Sequence, residues 1–147
     1  PGAKRVFIGP CVAKRAEARS SKHVENVLTF EELGSILVAA GIDVLECEET
    51  PPDQIATSTG RKFAISGGVA GAVIAAAAGH GVKAEEKLFN GLDKKAFATL
   101  KVVDKVVKNT TFIEVMTCEG GCLHGPGVIS NPVVARRFLE KMLKEHP

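Results

Sequence analysis

Hydrophobic positions along this chain change their spacing several times. Arg5-Val6-Phe7-Ile8 is a strongly β-prone run ended by Gly9-Pro10, which predicts a buried strand stopping at a turn, with Cys11 just past its carboxyl end. Good helix formers over residues 12–19 predict a short helix with Cys11 in or beside its first turn. Residues 24–28 read as a second strand despite the polar Glu25 and Asn26. Thr29 and Glu32 then form a capping box, and Phe30, Leu33, Ile36, Leu37 and Ala40 follow at helical spacing until Gly41. Residues 42–47 have the composition of a third strand, and residues 48–59, with Pro51-Pro52, that of a surface connection.

The second half continues in the same manner. Ser66 is placed to cap a helix over residues 69–78 that ends at Gly79 and Gly81. Phe97, Leu100, Val103 and Val107 recur at helical spacing over residues 94–107, with Asp93 as cap. Residues 112–116 read as a buried strand aimed at Cys118. Asn131-Pro132 opens a terminal helix through Lys144 whose apolar face carries Val134, Phe138 and Met142. This alternation predicts an α/β protein of parallel sheets flanked by helices, with sites at the carboxyl ends of the strands.

Composition narrows the reading. At 147 residues and 45% hydrophobic, the chain suits one domain over residues 1–147, built as a single body or as two small lobes sharing a core. The net charge of +2, with Lys and Glu interleaved, implies neither nucleic acid nor an anionic membrane as partner. The longest apolar stretch, residues 67–79, falls short of the roughly 20 residues a membrane span needs. The opening Pro1-Gly2-Ala3-Lys4 runs directly into a strand, so the chain is expected to be a piece of a longer protein.

Four cysteines, Cys11, Cys47, Cys118 and Cys122, lack the dense spacing of a disulfide scaffold; a reducing cytoplasm and metal ligation fit better. Cys11 and Cys118 each follow a predicted strand, and Glu119-Gly120-Gly121 separates Cys118 from Cys122 with little side-chain bulk, so the loop's amides can donate to cluster sulfurs. Soft thiolates favour iron–sulfur or zinc. By itself C-x-x-x-C also fits two small hydrophobes at a chance spacing, and zinc sites usually show a second close pair that Cys11 does not supply. Cys47 is expected in the core, since unbridged cysteine is often buried.

Phe7-Ile8-Gly9-Pro10-Cys11-Val12-Ala13-Lys14-Arg15-Ala16-Glu17 resembles the second signature of iron-only hydrogenases, M-P-C-x-x-K-x-x-E, with Gly9 in place of Met. Residues 114–125, from Glu114 through Met116, Cys118, Gly121 and Cys122 to Gly125, resemble the third, E-x-M-x-C-x-x-G-C-x-x-G. The resemblance implies the C-terminal part of the large subunit's catalytic domain, an incomplete fragment lacking the first signature. It implies that Cys11 and Cys118 ligate a 4Fe-4S cubane and that Cys122 bridges it to a two-iron subcluster, together the H-cluster. Lys14 would hydrogen-bond a cyanide ligand, Met116 would pack beside the diiron unit, and Glu17 would be an ion-pair partner nearby. Bland roles for these residues are a solvated helix lysine, a core methionine and a solvated glutamate.

The family's third signature usually continues G-G-G-Q-P, whereas this chain has Gly125-Pro126-Gly127-Val128, which points to a divergent sensory or monomeric branch. The expected parent is an iron–sulfur oxidoreductase interconverting protons, electrons and dihydrogen, partnered by the N-terminal remainder of the same protein and by a ferredoxin-like electron carrier or domain. The fragment alone is expected to be inactive and without its cluster. The rival is a hydrogenase-like cluster-binding protein with a sensory or cluster-assembly role; a plain α/β binding domain with incidental cysteines is a third reading.

Overall fold

The computed structural model describes residues 2–145. Positions 1, 146 and 147, part of the expected domain, lie outside the described residues. The chain divides into two compact units, Pro1–Ile55 with Gly125–Pro132, and Ala56–His124 with Val133–Pro147. The architecture is α/β as the alternation predicts, with two two-stranded parallel sheets and flanking helices.

In the first unit, β1 (Val6–Ile8) pairs in parallel with β2 (Asn26–Leu28), Val6 lying opposite Asn26 and Ile8 opposite Leu28. Helix α1 (Lys14–Ser20) makes the crossover. Helix α2 (Phe30–Ala39) starts on the expected capping box: the Glu32 N–H donates to Thr29 Oγ1 at 3.2 Å, and the Thr29 N–H donates to Glu32 Oε2 at 2.8 Å. Gly41, at φ +69°, turns the chain away. The chain returns to this unit at Gly127, whose N–H donates to the Pro10 carbonyl at 3.0 Å and whose carbonyl accepts from the Glu31 N–H at 3.4 Å. A Cβ there would lie 2.6 Å from Thr29 Cβ, so only glycine fits.

Residues 42–47 are not a strand. Asp43 caps a single 3-10 turn, Val44–Glu46, by accepting from the Leu45 N–H at 3.0 Å, and this local bond competes with extended pairing. Leu45 is 91% exposed, and Cys47, expected in the core, is exposed as well, its thiol donating to the Asp43 carbonyl at 3.4 Å.

The second unit runs α3 (Ser58–Arg61), a 3-10 turn Lys62–Ala64, α4 (Gly68–Gly79), β3 (Glu85–Asn90), α5 (Lys94–Leu100), α6 (Val103–Val106), β4 (Thr111–Met116) and α7 (Pro132–Glu145). Strands β3 and β4 pair in parallel from Glu85 opposite Thr111 to Asn90 opposite Met116. Thr57 caps α3 inside the segment read as connection, and β3 was not foreseen, because Glu85-Glu86-Lys87 masks its two apolar residues. The helix expected over residues 94–107 starts at its Asp93 cap but breaks at Val102 (φ −128°, ψ 21°), within the β-branched pair Val102-Val103.

Burial is scant. Among apolar residues only Ala70 and Phe89 are buried among the described residues, while Val6, Phe7, Ile8, Val115, Val134, Phe138 and Met142 are all exposed. Of the two strands expected to be buried, β1 is exposed throughout and β4 is half-buried apart from the buried Glu114 and the exposed Val115, because each belongs to a sheet of two strands with few helices against it. The accessible surface is 11108 Å². Two separate compact bodies of these lengths would expose about 8,700 Å² together, so about 2,400 Å² is in excess.

Candidate functional site

Cys11 lies half-buried between the end of β1 and α1, where its carbonyl accepts from the Lys14 N–H at 3.3 Å and closes the entry turn of the helix. Lys14 opens α1. Its ammonium donates to Glu17 Oε2 at 2.6 Å, one helical turn on, and sits 5.9 Å from the Phe7 ring centroid. Glu17, expected as an ion-pair partner near the site, pairs here with Lys14. This surface pair contributes at most about 1 kcal/mol. An ammonium has three N–H bonds, so Lys14 can donate to a further acceptor. A shallow pocket of ≈ 90 Å³ lined by Phe7, Lys14, Glu17, Val24 and Val27 lies alongside.

In the second unit β4 delivers Met116 and then Cys118, both half-buried, and a 3-10 turn, Cys122–His124, follows. The intervening loop is fixed by its glycines. Gly120 and Gly121 have φ +86° and +94°, in the left-handed region that glycine tolerates. A Cβ on Gly121 would lie 2.7 Å from both the Ile65 Cα and the Ser66 nitrogen, so the loop rests directly on the backbone of residues 64–66. Two loop amides expected to face cluster sulfurs are engaged within the protein: the Gly120 N–H donates to Asn90 Oδ1 at 2.6 Å, and the Gly121 N–H to the Cys118 carbonyl at 3.1 Å. His124 is exposed, and its backbone N–H donates to the Gly121 carbonyl at 3.1 Å.

The residue to which sequence reading gave no role is Glu114. It is 6% exposed in the middle of β4, and its carboxylate accepts from the Gly67 N–H at 2.6 Å and the Ala70 N–H at 2.7 Å. These are amide groups at the start of α4, which the helix itself cannot satisfy. The expected cap, Ser66, does not serve; Gly67, at φ +87°, occupies the cap position and the distant carboxylate does the capping. The available signal was a lone acidic residue inside an apolar strand.

The donors fit an iron–sulfur group. None of the four cysteines is in a disulfide, two thiols stand on one loop stripped of side-chain bulk, and the third occupies the same place after a parallel strand in the other unit. Neither unit alone carries all three thiols, and among the described residues no three His, Cys, Asp or Glu side chains are gathered as a metal-holding group. Among the described residues no helix is long and apolar enough to cross a membrane.

Compared with known protein families, residues 2–126 match the family described as the iron only hydrogenase large subunit, C-terminal domain. No curated protein matches the chain.

Proposed function

This chain belongs to the C-terminal domain family of iron-only hydrogenase large subunits, and from that premise we propose that it forms one wall of a cubane–diiron site at which the intact protein interconverts protons, electrons and dihydrogen. The observation that carries the reading is the pair of cysteine loops, each leaving the carboxyl end of a parallel strand, within the matched residues. When bound, the cluster supplies the electron storage and the reacting metal. The thiolates of Cys11, Cys118 and Cys122 would hold it, and since a cubane takes four ligands, a further donor would come from elsewhere in the parent. Lys14, paired with Glu17, would donate to an anionic ligand of the diiron unit, and Met116 would contribute an apolar, polarizable wall.

The partner for the exposed apolar surface is the N-terminal remainder of the same protein. The excess of about 2,400 Å², polar and apolar surface together, is large enough to accommodate such a partner. Electrons arrive from a ferredoxin-like carrier or domain, and the setting is a reducing cytoplasm. The chain by itself is inactive in this reading. Full-length protein matured with the diiron subcluster should evolve hydrogen from a reduced low-potential donor; inactivity with a fully loaded cluster would defeat the proposal.

A second reading has its own support. The departure from the family pattern at Gly125-Pro126-Gly127-Val128 suits a branch that senses hydrogen or binds clusters without turnover. Lys14 and Met116 weigh against the cluster-assembly form of that reading, because only a diiron unit uses them.

A further inference from the structure

The cysteine loop does not stand on β4 alone. Gly121, the residue before Cys122, is pressed onto residues 64–66, and a side chain there would collide with the Ile65 and Ser66 backbone. That backbone is in turn held by the tight entry to α4: the Ile65 N–H donates to the Lys62 carbonyl at 3.0 Å, the Gly68 N–H to the Ile65 carbonyl at 3.1 Å, and Gly68 has no room for a Cβ beside the Lys62 carbonyl. What pins this entry from outside is Glu114, through its two bonds to Gly67 and Ala70. The same strand that delivers Cys118 therefore also clamps, four residues earlier, the platform under Cys122.

We propose that Glu114 is a positioning residue for the Cys118–Cys122 loop, acting through the 62–70 segment rather than by touching the cluster. The strand carries one thiol directly, and the carboxylate sets the height of the second through the platform, so the two sulfurs are placed before any metal arrives. This rests on the functional reading above only for what the thiols hold; the mechanical link belongs to the chain itself. Buried in β4, the carboxyl group gives each amide its own oxygen, Oε1 to Gly67 and Oε2 to Ala70. A glutamine would keep one acceptor and turn an N–H donor toward an amide that is also a donor.

The test is hydrogen–deuterium exchange on full-length Glu114→Gln, followed in peptides covering residues 67–71, 118–122 and 85–90. The expected result is exchange at least roughly tenfold faster both at 67–71 and at 118–122, the scale of one lost charge-assisted bond, with β3 unchanged. Faster exchange at 67–71 with 118–122 unmoved overturns the proposal, and so does a uniform rise that includes 85–90, which is general loosening. A second variant, Gly121→Ala, attacks the same link from the other end and decides the matter if Glu114→Gln does not fold. Coupling is reciprocal, so it should speed exchange at 67–71; an unaltered rate there overturns the link. In the loaded protein Glu114→Gln should also alter the electron paramagnetic resonance signature of the reduced cluster. None of these readings depends on hydrogen turnover, so their failure is distinct from failure of the proposed activity.

Discussion

Two glycines three residues apart in α4 should respond to the same substitution with opposite signs. Gly71 lies on the exposed side of the helix, and a Cβ there meets nothing within 4 Å. Gly71→Ala should stabilise by about 1 kcal/mol, through helix propensity and a less flexible unfolded chain. Gly68 is buried at the first turn, and its added methyl would be driven into the Lys62 carbonyl, which must retreat by roughly an ångström. That retreat strains the backbone, costing about 1–3 kcal/mol, and loosens the Ile65 N–H bond to the same oxygen, costing about 1 kcal/mol more. Offsetting the helix gain leaves Gly68→Ala destabilised by about 2 kcal/mol. With a urea dependence of about 2 kcal/mol per molar, the midpoint should rise by about 0.5 M for Gly71→Ala and fall by about 1 M for Gly68→Ala. Midpoints moving in the same direction, or an unshifted Gly68→Ala, would refute the close approach on which the entry to α4 is built.

In the first unit, Thr29→Ala removes the hydroxyl that caps α2 and should lower stability by about 1 kcal/mol, read as an earlier urea transition; an unmoved transition means the cap is not formed. Acid should loosen the same unit. Glu32 is held below its ordinary carboxyl value of 4.5 first by the Thr29 backbone N–H and then by the Arg15 guanidinium, and Glu25 likewise by the Arg5 backbone N–H and guanidinium. A carboxyl with a lowered folded-state pKa lends stability that is whole above 4.5 and fades as pH falls through the folded value. Amide protection of α2, corrected for intrinsic exchange, should therefore drop between pH 5 and about 3, and Glu32→Gln should flatten that dependence; protection constant to about pH 3 in the parent contradicts it.

Local chemistry made some of this legible from the chain alone. Thr29 with Glu32, and Asp93 before Lys94, announce helices because their side chains reach backbone amides three residues ahead. The cysteine loops stood out because their residue types and order are specific. Strand β3 was hidden by its charged first half, and Cys47 was misplaced because burial frequency says nothing about a turn that Asp43 stabilises locally. Glu114 could be quoted as part of a motif but not given a role, since its partners lie 44 and 47 residues away and only the fold brings them together.

The return of Gly125–Pro132 to the first unit means that the boundary between the units is not a point on the polypeptide. A protease nicking the exposed stretch around Ile55 would not by that cut release Pro1–Ile55, because Gly127 stays bonded to Pro10 and Glu31. Nor can either unit be excised by one truncation or exchanged as a cassette: the thread that carries Cys118 and Cys122 goes on to stitch down the neighbourhood of Cys11.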